Sequence, residues 1–484
     1  MTARALAERV LSAIAAIAAF GLIVVRAWQT VDPYWDTLAY HWIFAARSAG
    51  LCDRECFAMP PVMEALYDGF PLLIHRMQGV IWRLTGTPGA GDFVNIVAVV
   101  ALIAYLRARF RVPLAWAWLA LLAVPAIQIG LTSTYVDVAV NAAATIALLV
   151  VLRMLVEPAA DHRIDIAVAL VALGVAVGGK FLMVPVALVA WTTIVLLVVR
   201  TPSSAGFARR DVAVAALAVA GALALLPTLA ANVITFGNPF YPVDVHIKGI
   251  HLPGPFPVVQ ANTVSLAWGD SPRPLRWLAS VAEYDSFRGR SLPWTIGQGE
   301  VPHVSPSFRM GGYFVAYVLG ALAMLVWSAR SATKARWACV MMVVLSVLCA
   351  WSPSSHELRY YLFWMMTLVC TVLAAAHAPA FASADQPRRK AVAHALIVIV
   401  GATVMLMTGA AYLRTDGPTL ADIVGLTDAA VAKVPDGGVL CVRDSSRWAF
   451  LYAEIFHPPR QYATRLLFGD EPDDRCTLRI TSPY

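Results

Sequence analysis

Charged residues are what this sequence is shortest of. Asp, Glu, Lys and Arg make up 14% of its 484 residues, against roughly 25% in an ordinary soluble domain. That scarcity excludes a soluble enzyme and a disordered chain. Cysteine is scarce too: seven residues are too few for the disulfide scaffold of a secreted module at this length. No internal repeat or low-complexity stretch occurs. A glycine-rich phosphate loop is also missing, because Gly297-Gln298-Gly299-Glu300 lacks the strand-to-helix setting and the glycine spacing of such a motif. The first apolar run ends in Val24-Val25-Arg26-Ala27-Trp28, with no small-residue cleavage site after it. It reads as an uncleaved anchor rather than a signal peptide.

What is abundant is apolar. Hydrophobic residues make up 59% of the chain, and the mean hydropathy is +0.68. A bilayer core of ~30 Å takes about 20 apolar residues per helix. Eleven candidate spans follow: 10–25, 93–106, 112–131, 138–152, 166–177, 181–199, 212–233, 311–327, 337–351, 360–376 and 391–412. The run 166–199 is too long for one span and turns at Gly178-Gly179-Lys180. The run 112–152 turns at 132–137.

The net charge of +7 and a pI near 9.1 would suit a nucleic-acid binder. The position of the basic residues decides otherwise. With the N-terminus in the cytosol, sixteen of the 37 Lys and Arg fall in six short cytosolic segments totalling 62 residues. That is the bias of the positive-inside rule, and no nucleic-acid partner is expected. The same topology turns three large segments outward: 28–92, about 234–310, and the tail 413–484. A protein that keeps its hydrophilic mass on one side works on that side. The expected location is a cell inner membrane, multi-pass, with a cytosolic N-terminus and a periplasmic C-terminus.

In the first loop, Phe70, Leu73, Ile74, Met77, Val80, Ile81 and Leu84 share one helical face, with Arg76 and Arg83 on another. This is a helix lying in the membrane interface or packed on the bundle. Residues 37–49 form a second such helix, with Leu38, Trp42 and Ala45 as its stripe. The tail alternates between helix signals (Leu420, Ile423, Val424 and Val431, then 445–456) and strand signals (439–443 and 476–482). The expected fold class is an all-α polytopic membrane bundle of about eleven transmembrane helices, residues 1–412, with a small C-terminal α/β domain, residues 413–484. Cys339, Cys349 and Cys370 fall in spans, while Cys52, Cys56, Cys441 and Cys476 fall outside. Disulfides Cys52–Cys56 and Cys441–Cys476 suit an oxidising compartment. The Cys52–Cys56 stretch has too few ligands for zinc, and no metal or cofactor is expected.

Asp36 is the foremost candidate for chemistry. It stands about ten residues after the first span, among Trp28, Tyr34, Trp35, Tyr40 and Trp42. A carboxylate in such an aromatic interface is poorly solvated and gains affinity for a proton or cation. It either takes a proton from an acceptor group or caps the helix that follows. Tyr40 and His41 stand beside it as candidate substrate contacts. Asp137 opens the fourth span, as a cap or as a functional acid. Lys180 is the one charge of its hairpin and either pairs with a lipid phosphate or snorkels. Before the tenth span come His356, Glu357 and Arg359. Arg359 offers a planar fork for phosphate, with Glu357 as its internal partner. Gly237-Asn238-Pro239-Phe240-Tyr241-Pro242 is a rigid turn, in which Tyr241, with nearby His246, lines a sugar or lipid site or builds a corner.

In that order, these features resemble the GT-C superfamily of integral-membrane glycosyltransferases, in the branch of the protein O-mannosyltransferases and the aminoarabinose transferase. The carriers are Trp35-Asp36-Thr37 with Tyr40, the helix from Phe70-Pro71 to Gly86, Thr134-Tyr135-Val136-Asp137, the 237–242 turn, and Glu357-Leu358-Arg359-Tyr360. The resemblance covers about residues 5–412. It implies a sugar taken from a polyprenyl-phosphate donor on the outer face and passed to a glycan, lipid or protein. Asp36 would be the general base, with Arg359 and Lys180 on the phosphate and Arg76 and Arg83 behind them. Many such enzymes carry two adjacent first-loop acids. Here the second is Thr37, which points to a single base working without a metal. Two other readings remain: a lipid or glycan transporter, and a glycan ligase using a pyrophosphate-linked donor.

Overall fold

Helices that are apolar on every side belong in the middle of a bundle, and those with one packing stripe belong at its edge. The computed structural model follows that rule. It describes residues 3–31, 36–200, 207–247, 249–257, 271–282, 311–352, 355, 357–407, 413–443, 448–458, 460–467 and 474–481. Asp32, Tyr34, Trp35, His356 and residues 297–300 lie outside these. At the centre stand Asp137–Val156 and Leu362–His377, buried along nearly their whole length. The first of these carries Ala139, Ala142, Ala143, Ala144 and Ala147, small residues that let neighbouring backbones approach. Ala3–Gln29 stands at the edge, with Leu11, Ile14 and Ile17 exposed.

Among the described residues, seven helices are long and apolar enough to cross a membrane, or nine if each of two bent pairs is one span. The protein is a multi-pass membrane protein. The bent pairs correct two of the expected straight spans. Leu114–Leu122 and Pro125–Leu131 meet at 98°, and 215–225 meets Pro227–Phe236 at 61°. Each second half begins on proline, which cannot donate to the preceding turn. The two remaining expected spans fall on Arg163–Gly179 and Gly311–Ser331.

The three large hydrophilic segments meet at one end. Strands β1 (Phe57–Ala58), β5 (Val439–Arg443), β6 (Ala463–Leu467) and β7 (Leu478–Thr481) form a parallel sheet in the order β1-β6-β5-β7. One of its two edge strands, β1, thus comes from the first loop. One apolar core serves both segments, with Phe57 against Phe450 at 5.1 Å and Phe456 at 5.9 Å from both Trp42 and Trp82. Phe256, from the long loop, packs on the same core. That loop carries a second sheet in the order β3-β2-β4, made of β2 (Val243–Ile247), β3 (Ile250–Leu252) and β4 (Phe256–Pro257). Both expected disulfides, Cys52–Cys56 and Cys441–Cys476, are formed.

Two tail helices differ from expectation. The first is broken into Leu420–Gly425 and Asp428–Val431. The second is replaced by tight turns at Ala449–Tyr452 and Glu454–Phe456, with 444–447 outside the described residues. In the first loop, Leu73–Thr85 buries Ile74, His75, Gln78, Gly79 and Trp82 and exposes Met77, Val80 and Leu84. An exposed apolar ridge beside Arg76 and Arg83 is what a helix at a lipid interface presents.

Candidate active site

Four separated segments deliver charge to the end of the bundle beneath the sheet. Asp36 immediately precedes the π-helical turn Thr37–His41 and makes no side-chain capping bond to it. Its Oδ2 instead accepts from Arg359 Nη1 at 3.2 Å. Arg359 lies in the turn Leu358–Tyr361 that enters the central helix Leu362–His377, and its Nε is 3.6 Å from Glu357 Oε2. Asp137 is the first residue of the other central helix and forms an ion pair with Lys180, at the joint between Arg163–Gly179 and Phe181–Met183. Lys180 does not snorkel. Its Nζ sits 3.9 Å over the Tyr360 ring, and the Arg359 guanidinium lies 5.2 Å from both Tyr360 and Tyr135. Tyr360 therefore bridges the two cations through its π face.

The sequence fixes these positions through neighbours that carry no charge. Asn141 is fully buried; its amide donates to the Asp137 carbonyl at 2.7 Å and the Arg359 carbonyl at 3.3 Å, and accepts from Phe363 N at 2.8 Å. One side chain thereby ties the Asp137 helix to the Arg359 turn. Asn95 does the same for the turn before Asp137. Its amide donates to the carbonyls of Gly130, Ser133 and Tyr135 and accepts from Ala139 N, all within 3.0 Å. Gly179 lets Lys180 in, since a Cβ there would meet Val140 Cγ1 at 2.5 Å and Ile74 Cγ1 at 2.6 Å.

Burial sets the protonation of the first-loop groups. Burial pushes the Tyr40 hydroxyl well above its usual range, and the Asp36 charge adds to it, so Tyr40 keeps its proton. His41 Nδ1 and His75 Nε2 are 2.8 Å apart, with both rings buried. Burial, with the Lys180 charge adding to it, holds His41 well below the ordinary imidazole range and His75 at about 3. Lys180 is itself lowered by burial, against the opposing pull of Asp137.

Of the residues singled out from the sequence, Asp36, Asp137, Lys180, Glu357 and Arg359 form this cluster, with Tyr40 and His41 within its field. Arg76 and Arg83 are exposed on Leu73–Thr85, where Arg83 donates to the Ala49 carbonyl at 3.1 Å. Tyr241 stacks on Phe236 at 3.7 Å, and its carbonyl accepts from Asn232, which also holds Gly69. There it builds a corner. His75, Asn95, Asn141 and the ring of Tyr360 escaped the sequence reading. A lone amide inside an apolar run was the available signal for the asparagines.

No family model matches the sequence, and no curated protein matches it. Among solved structures, the crystal structure of ArnT from Cupriavidus metallidurans bound to undecaprenyl phosphate superposes over 95% of this chain and 90% of its own, at 14% identity and a TM-score of 0.50. The chain shares the fold of that structure. ArnT in the apo state matches at 14% identity over 96% of this chain and 90% of its own, with a TM-score of 0.42. The helical membrane bundle expected from the sequence is thus matched by a solved structure of nearly the same extent.

Proposed function

We propose that the chain is a membrane glycosyltransferase that moves a sugar from a polyprenyl-phosphate donor to a glycan, lipid or protein acceptor on the periplasmic face. Asp36 takes the acceptor's proton as the acceptor oxygen or nitrogen bonds to the anomeric carbon. The anomeric carbon–oxygen bond breaks, and polyprenyl phosphate leaves, its charge held by Arg359 and Lys180. The observation that carries this reading is the Asp36–Arg359 contact of 3.2 Å. A candidate base and a candidate phosphate clamp are in one pair, beneath a hydrophilic cap and beside Lys180–Asp137. The pairing also suggests an order. A donor phosphate competes with Asp36 for the guanidinium, so donor binding frees the carboxylate to act as base. Support comes from the shared fold and from the undecaprenyl phosphate bound by the ArnT structure.

The test is turnover in nanodiscs with a panel of polyprenyl-phosphate sugars, read by mass spectrometry of the products. Asp36→Asn is expected to lower transfer by about 10²–10⁴-fold while the protein stays monodisperse and still binds polyprenyl phosphate. Full transfer by that variant overturns the base assignment. Lipid movement in liposomes with no sugar transfer from any donor replaces the enzyme reading with transport.

A further inference from the structure

The hairpin β2–β3 carries three ligand-type side chains on one face. The strands are antiparallel, with His246 directly opposite His251. Asp244 stands two residues before His246, and alternate residues of a strand share a face. Strand register therefore brings the three side chains together. Nε2 of His246 lies 3.0 Å from Asp244 Oδ2, and Nε2 of His251 lies 2.7 Å from Asp244 Oδ1. The two rings stack with centroids 4.2 Å apart. One ligand atom from each residue lies within 4.8 Å of the others. Tetrahedral zinc with bonds of ~2.0–2.1 Å has ligand-to-ligand edges of about 3.3–3.4 Å. Lengthening the two carboxylate contacts by about 0.3–0.7 Å brings them to that edge length.

The base of the hairpin is fixed before any ion arrives. Asn238 donates to the carbonyls of Val243 at 2.8 Å and Pro253 at 2.9 Å, and Phe256 N donates to the Pro242 carbonyl at 3.0 Å. The imidazoles are reachable from solvent, at 68% and 55% exposure for His246 and His251. Two imidazoles and one carboxylate suit a borderline divalent ion better than a hard one such as Mg²⁺ or Ca²⁺.

We propose that Asp244, His246 and His251 form a three-ligand site for a divalent transition metal, Zn²⁺ foremost, with a fourth position open to water or to an incoming ligand. The site cross-links the two strands of the hairpin. It is built from residues outside the Asp36–Arg359 cluster and stands whether or not sugar transfer is found.

The full-length protein, with its affinity tag removed, is stripped with EDTA and exchanged into chelator-free detergent buffer near neutral pH. ZnCl₂ is titrated calorimetrically, and CoCl₂ is followed by visible absorption. One Zn²⁺ per chain at micromolar or tighter affinity is expected, with the d–d bands of cobalt held by nitrogen and oxygen ligands. The double variant His246→Gln/His251→Gln should bind more than about tenfold more weakly and lose the cobalt bands, with an unchanged circular dichroism spectrum and melting temperature in the absence of metal. His162→Gln, at the opposite end of the bundle, should bind as the wild type does. Equal uptake by the wild type and the double variant overturns the proposal. Saturation only at millimolar metal, the mark of an adventitious ion only, overturns it too.

Discussion

A buried carboxylate in this protein is not by itself a sign of chemistry. Asp165 is fully buried, yet Arg109, Arg153, His162 and the Tyr105 hydroxyl all contact it. It is an anchor at the far end of the bundle. Asp36 differs in the aromatic rings that surround its cation partner Arg359. The His41–His75 pair beside it gives a measurable residue-scale consequence. Below about pH 6.5 an unfolded chain protonates both imidazoles, while the folded chain resists it, His75 down to about 3. Stability from the pair is therefore complete above about 6.5. It is lost as pH falls toward 3, by up to about 1.4 kcal/mol per pH unit for each imidazole. The melting temperature in detergent should drop between pH 7 and pH 5. Because His457 also titrates low, the informative quantity is a difference: His75→Gln should show a shallower drop than wild type. Parallel curves would mean that the pair does not titrate as described.

At the scale of elements, the joint at Gly178-Gly179 decides whether Lys180 reaches Asp137. A methyl at Gly179 has to displace Val140 and Ile74, from two different helices, and overpacking of this kind costs about 1–3 kcal/mol. Gly179→Ala should lower the melting temperature and weaken polyprenyl-phosphate binding together. Gly401→Ala serves as the control, since nothing lies within 4 Å of the added methyl, and it should leave both unchanged. A silent Gly179→Ala would remove packing at this joint as the positioner of Lys180. The helices themselves were legible, because long apolar runs have few alternatives in a bilayer. The bends were less so. Pro125 and Pro227 marked them in the sequence, but a run of apolar residues reads as one span whether or not it turns. In the tail, β5 was readable as an apolar run, whereas Ala463–Leu467 mixes Thr464 and Arg465 into a strand buried on one side. The two-residue β1 is too short to leave any periodic signal. Of the charged cluster, each member was visible as an isolated charge beside an apolar run. The pairings Asp36–Arg359 and Asp137–Lys180 span 323 and 43 residues and arise only where the first loop and the joint after Arg163–Gly179 meet the two central helices.

At the scale of the molecule, one asymmetry runs through everything above. The six short segments that hold sixteen of the 37 basic residues alternate with the segments that fold into the cap. The first loop and the tail share a sheet, the long loop packs on the same core, and the cluster of Asp36, Lys180 and Arg359 sits on that side. If the cap faces the periplasm, the proposed base meets a lipid-linked donor there; if it faces the cytosol, the proposed reaction is on the wrong side. The native free cysteines, Cys339, Cys349 and Cys370, are buried or half-buried in the bundle, so a single introduced thiol can be read against a low background. Lys433→Cys lies on the exposed surface of the tail, and Arg163→Cys replaces a side chain 93% exposed at the opposite end. In spheroplasts, a membrane-impermeant maleimide should label Lys433→Cys at once and Arg163→Cys only after permeabilisation. The reverse pattern would invert the molecule and, with it, the side on which a donor must be presented to Asp36. Labelling of both without permeabilisation would mean that the two ends are not separated by a membrane at all.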